Sequence, residues 1–307
     1  MKPLDAAILR TVLYADVFDF PLMVEELHFF LIHDQPVSVI EVRRALATSP
    51  ALAAALRCDG EFVMLASRPA LADRRAEREQ ASQRLWPLAE RYGRWLARLP
   101  YVRMVAVTGA LAMRNAASAD DDLDFFLLTA PGRVWLARAC AILLVRAARL
   151  RGVTICPNYI AAATALEQGR RDLFIAHEVA QMIPLHGQDL YRALRAANSW
   201  VDAHLPNAHE PLYQPHSSAE SRAWLTAKRL LEAALNNRLG DALENWERRR
   251  KLERFASQMQ RSSSAALLDE TQVKGHFNDY GHYVLRAYQD RLRSYGLDEV
   301  SLPATGD

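Results

Sequence analysis

Val105-Ala106-Val107-Thr108-Gly109-Ala110-Leu111-Ala112, followed after a polar stretch by Asp122-Leu123-Asp124-Phe125-Phe126-Leu127-Leu128, is the part of the chain that decides the fold. The apolar run at 104–107 reads as a strand that ends at Gly109. The second run reads as a strand that opens with two acids one residue apart. Alternate residues of a strand share a face and lie roughly 6–7 Å apart along the chain. Asp122 and Asp124 would therefore converge on a hard divalent cation, which prefers oxygen ligands. The hydrophobic continuation anchors them, and a buried like-charged pair is costly without a metal or a cationic partner. Backbone amides at Thr108, Gly109 and Ala110 are placed to face a phosphate. Asn115 and Ser118, in the loop between, are candidates for hydrogen bonds to phosphate or ribose, although both residue types also build turns. The alternative is a solvated acidic loop at Asp120-Asp121-Asp122, with Asp124 alone pointing inward.

Carried by Val107, Gly109, Ala110, Asp122 and Asp124, with Thr108 intervening, residues 100–200 resemble the polymerase-β-like nucleotidyltransferase superfamily. Its pattern is a hydrophobic residue, Gly-Ser or Gly-Gly, a loop, and then Asp-x-Asp or Asp-x-Glu within a strand. The resemblance implies a small mixed-sheet core that holds Mg2+ or Mn2+ on Asp122 and Asp124. It also implies a nucleoside triphosphate at Thr108, Gly109 and Ala110, and transfer of the nucleoside monophosphate to an acceptor with release of pyrophosphate. A two-metal site of this kind activates the attacking oxygen and stabilises the leaving one. Two positions depart from the pattern. Ala110 stands where the family usually has Ser, and the strand expected at 153–160 carries no third acid. Glu167, Asp172 and Glu178 are the candidates for that acid. Asn158 could offer a carbonyl oxygen to a metal or ribose but cannot act as a base.

The expected fold is mixed α/β (α+β), and 307 residues are enough for more than one core. Residues 1–66 read as a winged-helix-like unit: a helix capped by Asp5, a second near Val24–His33, a third capped by Ser38, and a hairpin at Asp59-Gly60. Residues 67–99 form an arginine-rich helical connector with a break near Pro87. There Arg94 and Arg98 are either a solvated face or a cationic wall near the nucleotide. The core spans 100–205, with a helix at 133–150, a strand at 152–161 and a helix at 172–183 that Pro184 ends. A Pro/His/Ser-rich linker at 206–219 leads to a helical unit at 220–300, read as Trp224–Arg238, Gly240–Gln260 and Val273–Tyr295.

A net charge of +2 calls for no polyanionic partner, and the third helix offers only Arg43 and Arg44 beside Glu41, which disfavours DNA. Cys58, Cys140 and Cys156 make neither a disulfide framework nor a zinc pattern, so a reducing cytoplasm is expected. The histidines have no zinc-ligand spacing. Val134–Leu150 is broken by three arginines, and no secretory leader or membrane span is expected. The expected partners are a nucleoside triphosphate and a small-molecule or protein acceptor. The rival reading is a catalytically inactive protein of the same fold that binds a nucleotide, a protein or DNA.

Overall fold

The computed structural model describes residues 1–214, 221–259, 267–274 and 280–297. The chain begins with α1 (Pro3–Asp16), β1 (Leu22–Met23), α2 (Val24–Phe29), α3 (Val39–Thr48), α4 (Pro50–Ala55), β2 (Leu56–Asp59) and β3 (Phe62–Leu65). β3 lies between β1 and β2, antiparallel to both. Three helices, one short helix (α4) and a hairpin follow one another here, with the two-residue β1 completing the sheet. Ser38 and Glu41 start α3 with a reciprocal capping box, the Ser38 hydroxyl accepting from the Glu41 amide and Glu41 accepting from the Ser38 amide. Asp5 does not cap α1. It is buried, and its carboxylate accepts the Ser49 hydroxyl at 2.7 Å, which ties α1 to the start of α4. The hairpin loop is Gly60-Glu61 rather than Asp59-Gly60, and only Gly60 takes a positive φ (58°). A glycine first in a two-residue loop is the II′ pattern.

The connector is a single helix, α5 (Leu71–Arg98), and Pro87 does not interrupt it. Packing of Leu85, Ala89, Tyr92 and Leu96 against the sheet offsets the hydrogen bond that proline removes. Its N-terminal half fastens the first unit to the rest. Arg75, 1% exposed, donates to Glu26 at 2.9 Å and to Glu79 at 2.8 Å, and its guanidinium lies 4.5 Å from the centre of the Phe20 ring.

The core sheet contains β4 (Val102–Val107), β5 (Leu123–Thr129), β6 (Ile155–Ala162), β7 (Ile183–His186), β8 (Leu267–Leu268) and β9 (Gln272–Lys274). Their order is β7-β4-β5-β6-β9-β8, and only β5 and β6 run parallel, joined through α7 (Val134–Arg149). The fold is thus mixed α/β, as the sequence leads one to expect. The alternation along β5 divides the molecule. Leu123, Phe125 and Leu127 face a layer built by α5 and α7. Phe126 and Leu128 face a second layer that includes α1, α8 (Leu173–Ala180), α9 (Gln188–Ala197) and α12 (Tyr280–Ser294). Asp124 shares the parity of this second set. Pro184 sits in the edge strand β7, where a missing N–H is tolerated, and does not simply end a helix.

The first and last helices meet. Arg291 donates to Asp16 at 2.8 Å, and the Tyr14 and Tyr288 rings pack edge to face with centroids 5.4 Å apart. The expected linker is in part laced to the first unit: Asn207 bonds the Val37 amide and the His28 carbonyl, and Tyr213 donates to Glu26. α10 (Arg222–Leu235) and α11 (Arg238–Met259) follow. The expected helix from Val273 is corrected. Gln272–Lys274 is a strand paired with β6, Tyr159 facing Lys274, and the last helix begins at Tyr280. His276 and Ser262-Ser263-Ser264 lie outside the described residues.

Candidate functional site

Asp124 is the centre of the site. β5 sets it one residue inside the strand, and its backbone carbonyl accepts the Thr108 amide at 3.0 Å. Gly109 has φ +66°, and a Cβ placed there would meet Asp124 Oδ2 at 2.4 Å. The glycine is needed twice over, for the left-handed turn and for the room its missing side chain leaves to the carboxylate. It opens a four-residue turn of helix, Gly109–Ala112, in which the amides of Gly109 and Ala110 have no acceptor from the helix itself.

Asp124 lines a cavity of about 580 Å³ between the sheet and the second layer. Cys156 and Asn158 on β6 flank it, the thiol donating to Asn158 Oδ1 at 2.7 Å. Burial pushes the Asp124 carboxyl up to about 6; a hydrogen bond from Asn158 pulls it down, and the charges of Asp122 and Asp121 push it further up. The Cys156 thiol is driven to about 12 by burial and by the charges of Asp124 and Asp122. It is therefore a neutral hydrogen-bond donor and not a thiolate.

Asp122 shares Asp124's parity but precedes the strand. It is exposed, its amide is held by the Asp121 carboxylate, and it lies outside the cavity lining. Of the two arrangements the sequence allows, this is the acidic loop with Asp124 alone turned inward. Thr108, Gly109 and Ala110 all line the cavity. Asn115 also lines it, but its amide is occupied, accepting from Arg78 at 3.0 Å and donating to the Phe18 carbonyl at 3.4 Å. Ser118 is exposed and caps its own loop by accepting the Asp120 amide, away from the cavity. Arg94 is exposed, and Arg98 lies 5.3 Å from the Trp95 ring centre and 5.2 Å from that of Trp224. Both belong to α5, which backs the sheet, so neither forms a cationic wall for this cavity.

Glu178 is the acid that joins Asp124. It lines the cavity from α8, and burial pushes its carboxyl up to about 7, with Lys274 pulling it down and Asp124 pushing it up. Glu167 pairs with Arg171 on the surface, and Asp172 caps α8 by accepting the Ile175 amide at 2.9 Å. Lys274, which the sequence offers to a triphosphate from a helix folding over the cleft, lines the cavity from β9 instead, with its ammonium 5.6 Å from the Tyr159 ring centre. Arg170 also lines it while bonded to Asp172. The spacing of Phe174, Glu178 and Met182 along one helix face was the available signal for Glu178.

Among the described residues no three acids, histidines or cysteines are gathered tightly enough to enclose a metal by themselves. The arrangement can present two carboxylates, with two cations nearby, to a ligand that brings further oxygens. Comparison of this chain with protein-family models, with curated proteins and with solved structures finds no match.

Proposed function

We propose that this chain is a divalent-metal-dependent nucleotidyltransferase acting in the cytoplasm. A hydroxyl or amine of the acceptor attacks the α-phosphorus of a nucleoside triphosphate. A bond to phosphorus forms as the bond to the bridging oxygen of the β-phosphate breaks. Pyrophosphate leaves with that electron pair, and the acceptor's proton passes to solvent. The observation that carries the reading is Asp124, a strand-borne carboxylate pressed against the Gly109 turn at the wall of the 580 Å³ cavity.

The donor set suits Mg2+ or Mn2+. Asp124 offers a hard oxygen ligand, and magnesium commonly takes only one or two carboxylates and fills its shell with phosphate and water. The upward push on Asp124 has the sign expected of a buried acid beside other acids without a cation, and a bound cation reverses that push. When bound, the ion polarises the phosphoryl oxygens and acidifies the attacking group. The chain itself contributes the Thr108–Ala110 turn for phosphate, with Lys274 and Arg170 as nearby positive charge. Glu178 supplies the second carboxylate of the cleft. Three unpaired cysteines agree with a reducing compartment, and among the described residues no helix is long and apolar enough to cross a membrane.

Asn158 and Ala110 favour a second reading, a nucleotide-binding protein of this fold without catalysis. Thermal unfolding with each of the four nucleoside triphosphates, with and without Mg2+, separates the readings when combined with a pyrophosphate-release assay. At 100 times the dissociation constant a ligand adds about 2.7 kcal/mol of stability. The proposal expects a magnesium-dependent shift with one triphosphate, lost in Asp124→Asn, together with pyrophosphate release. A shift without release supports the second reading. No shift with any triphosphate overturns both.

A further inference from the structure

Resting on the nucleotidyltransferase reading, the division of charge within the cavity identifies the acceptor's class. Among the described residues, the charged groups that line it are Asp124, Arg170, Glu178 and Lys274, all from the core. The first unit contributes the opposite wall, and that wall has no charge: Tyr14, Ala15, Phe18, Phe20, Leu22 and Phe30. Its one hydroxyl besides Tyr14, that of Thr11, is already satisfied, donating to the Ala7 carbonyl at 2.8 Å and accepting the Ile32 amide at 2.9 Å.

His177 does not restore charge there. Its ring is sandwiched between Tyr14, with centroids 3.9 Å apart, and Phe30, at 5.6 Å. Its Nδ1 is engaged by the Leu173 carbonyl, and burial drives its pKa down to about 3, so it is neutral at physiological pH. An ionic group seated against this wall would lose its hydration with no compensating partner. A flat or branched apolar body would instead gain by burial, at about 25 cal/mol per Å² of apolar surface. The volume of about 580 Å³ is in the range of small-molecule pockets.

We propose that the acceptor is a small uncharged molecule with an aromatic or branched aliphatic body. It seats against Tyr14, Phe18 and Phe30 and carries a single hydroxyl or amine toward Asp124. The winged-helix-like unit is then the acceptor-binding wall of the site. The base and phosphates of the nucleotide lie on the charged side.

The test uses 1-naphthylmethanol as a neutral probe, 1-naphthyl phosphate as its anionic counterpart, and the full chain. Probe fluorescence gives binding, and thermal shift with Mg2+ and each triphosphate is measured in parallel. Two variants alter the wall: Ala15→Phe fills it, and Phe18→Asn, at a half-buried position, makes it polar while sparing the fold. The expected result is binding of the alcohol at least about tenfold tighter than of the phosphate, and about tenfold weaker binding of the alcohol in either folded variant, with the triphosphate shift unchanged. Equal binding of the two probes, or no binding of the alcohol, overturns the acceptor assignment even if triphosphate binds. Loss of the triphosphate shift in Phe18→Asn also overturns it, because the wall would then seat the nucleobase. If the alcohol binds as expected but no triphosphate does, the neutral pocket stands and the nucleotidyltransferase reading alone fails.

Discussion

Replacing Gly109 by alanine separates two costs that normally arrive together. The residue takes φ +66°, and an added Cβ would stand 2.4 Å from Asp124 Oδ2. Gly132 provides the control, because it has the same φ of +66° with nothing within 4 Å of its Cβ position. A left-handed conformation costs an alanine about 1–2 kcal/mol, and reduced entropy of the unfolded chain gives back about 0.4–1 kcal/mol in both variants. Gly132→Ala should therefore lose about 1 kcal/mol. In Gly109→Ala the carboxylate must also swing away by roughly 1 Å, and forcing a side chain about 30° off its rotamer costs about 0.5–1.5 kcal/mol. Its total should be about 2 kcal/mol, with weaker magnesium-dependent triphosphate binding as a second readout. Urea denaturation of both variants, each also in an Asp124→Ala background, gives the comparison. The excess at Gly109 should largely vanish when the carboxylate is removed. If the two glycines cost the same and Asp124→Ala changes nothing, the close approach of turn and carboxylate is not what holds Gly109, and the reasoning is refuted.

Two further outcomes follow from the same geometry. Asp124 is raised from 3.8 to about 6, so the folded protein binds its proton more tightly than the unfolded chain does. Stability of the metal-free protein should then fall by up to about 3 kcal/mol as pH rises from about 4 to 6, and Glu178 extends the same sign towards 7. Denaturation in chelator at about pH 4 and pH 8 measures this, and a flat profile identical in Asp124→Asn contradicts it. Arg75→Met should cost about 3–5 kcal/mol because it strands the buried Glu26, and adding Glu26→Gln should recover much of that loss. A double variant no more stable than the single one would show that Arg75 contributes mainly through its contact with Phe20.

What the sequence disclosed was local. Gly109 and Asp124 announced themselves by spacing, and Ser38 by its partner Glu41, because each needs only neighbours in the chain. The fold class and the arrangement of the first unit followed from runs, caps and a glycine hairpin for the same reason. The sequence puts Lys274 near a triphosphate but on a helix, because its strand is three residues long and exists only by pairing with its neighbours in the sheet. A short apolar segment carries no period that separates strand from helix. Glu178 was visible only as an acid in mid-helix, and what makes it notable is Asp124, carried by a strand about fifty residues earlier. Asp122 shows the limit of periodicity: parity put it on the correct face, but one residue short of the strand it turns to solvent.

The contact between the first helix and the last has a consequence for synthesis. Asp16 meets Arg291 across 275 positions of sequence, Tyr14, a wall of the cavity, packs edge-on against Tyr288, and Tyr280 and Gly281 of the same helix line the cavity. While the chain is still on the ribosome, the aromatic face of α1 has no lid, and the cavity cannot close until almost the whole polypeptide has emerged. Contacts so distant in sequence form late and slowly. The nascent protein therefore leaves this apolar face uncovered for most of translation, and a ribosome that stops before Tyr280 releases a product with an open apolar cleft. Such fragments should be preferred clients of chaperones that bind exposed aromatic segments, and the completed chain should not.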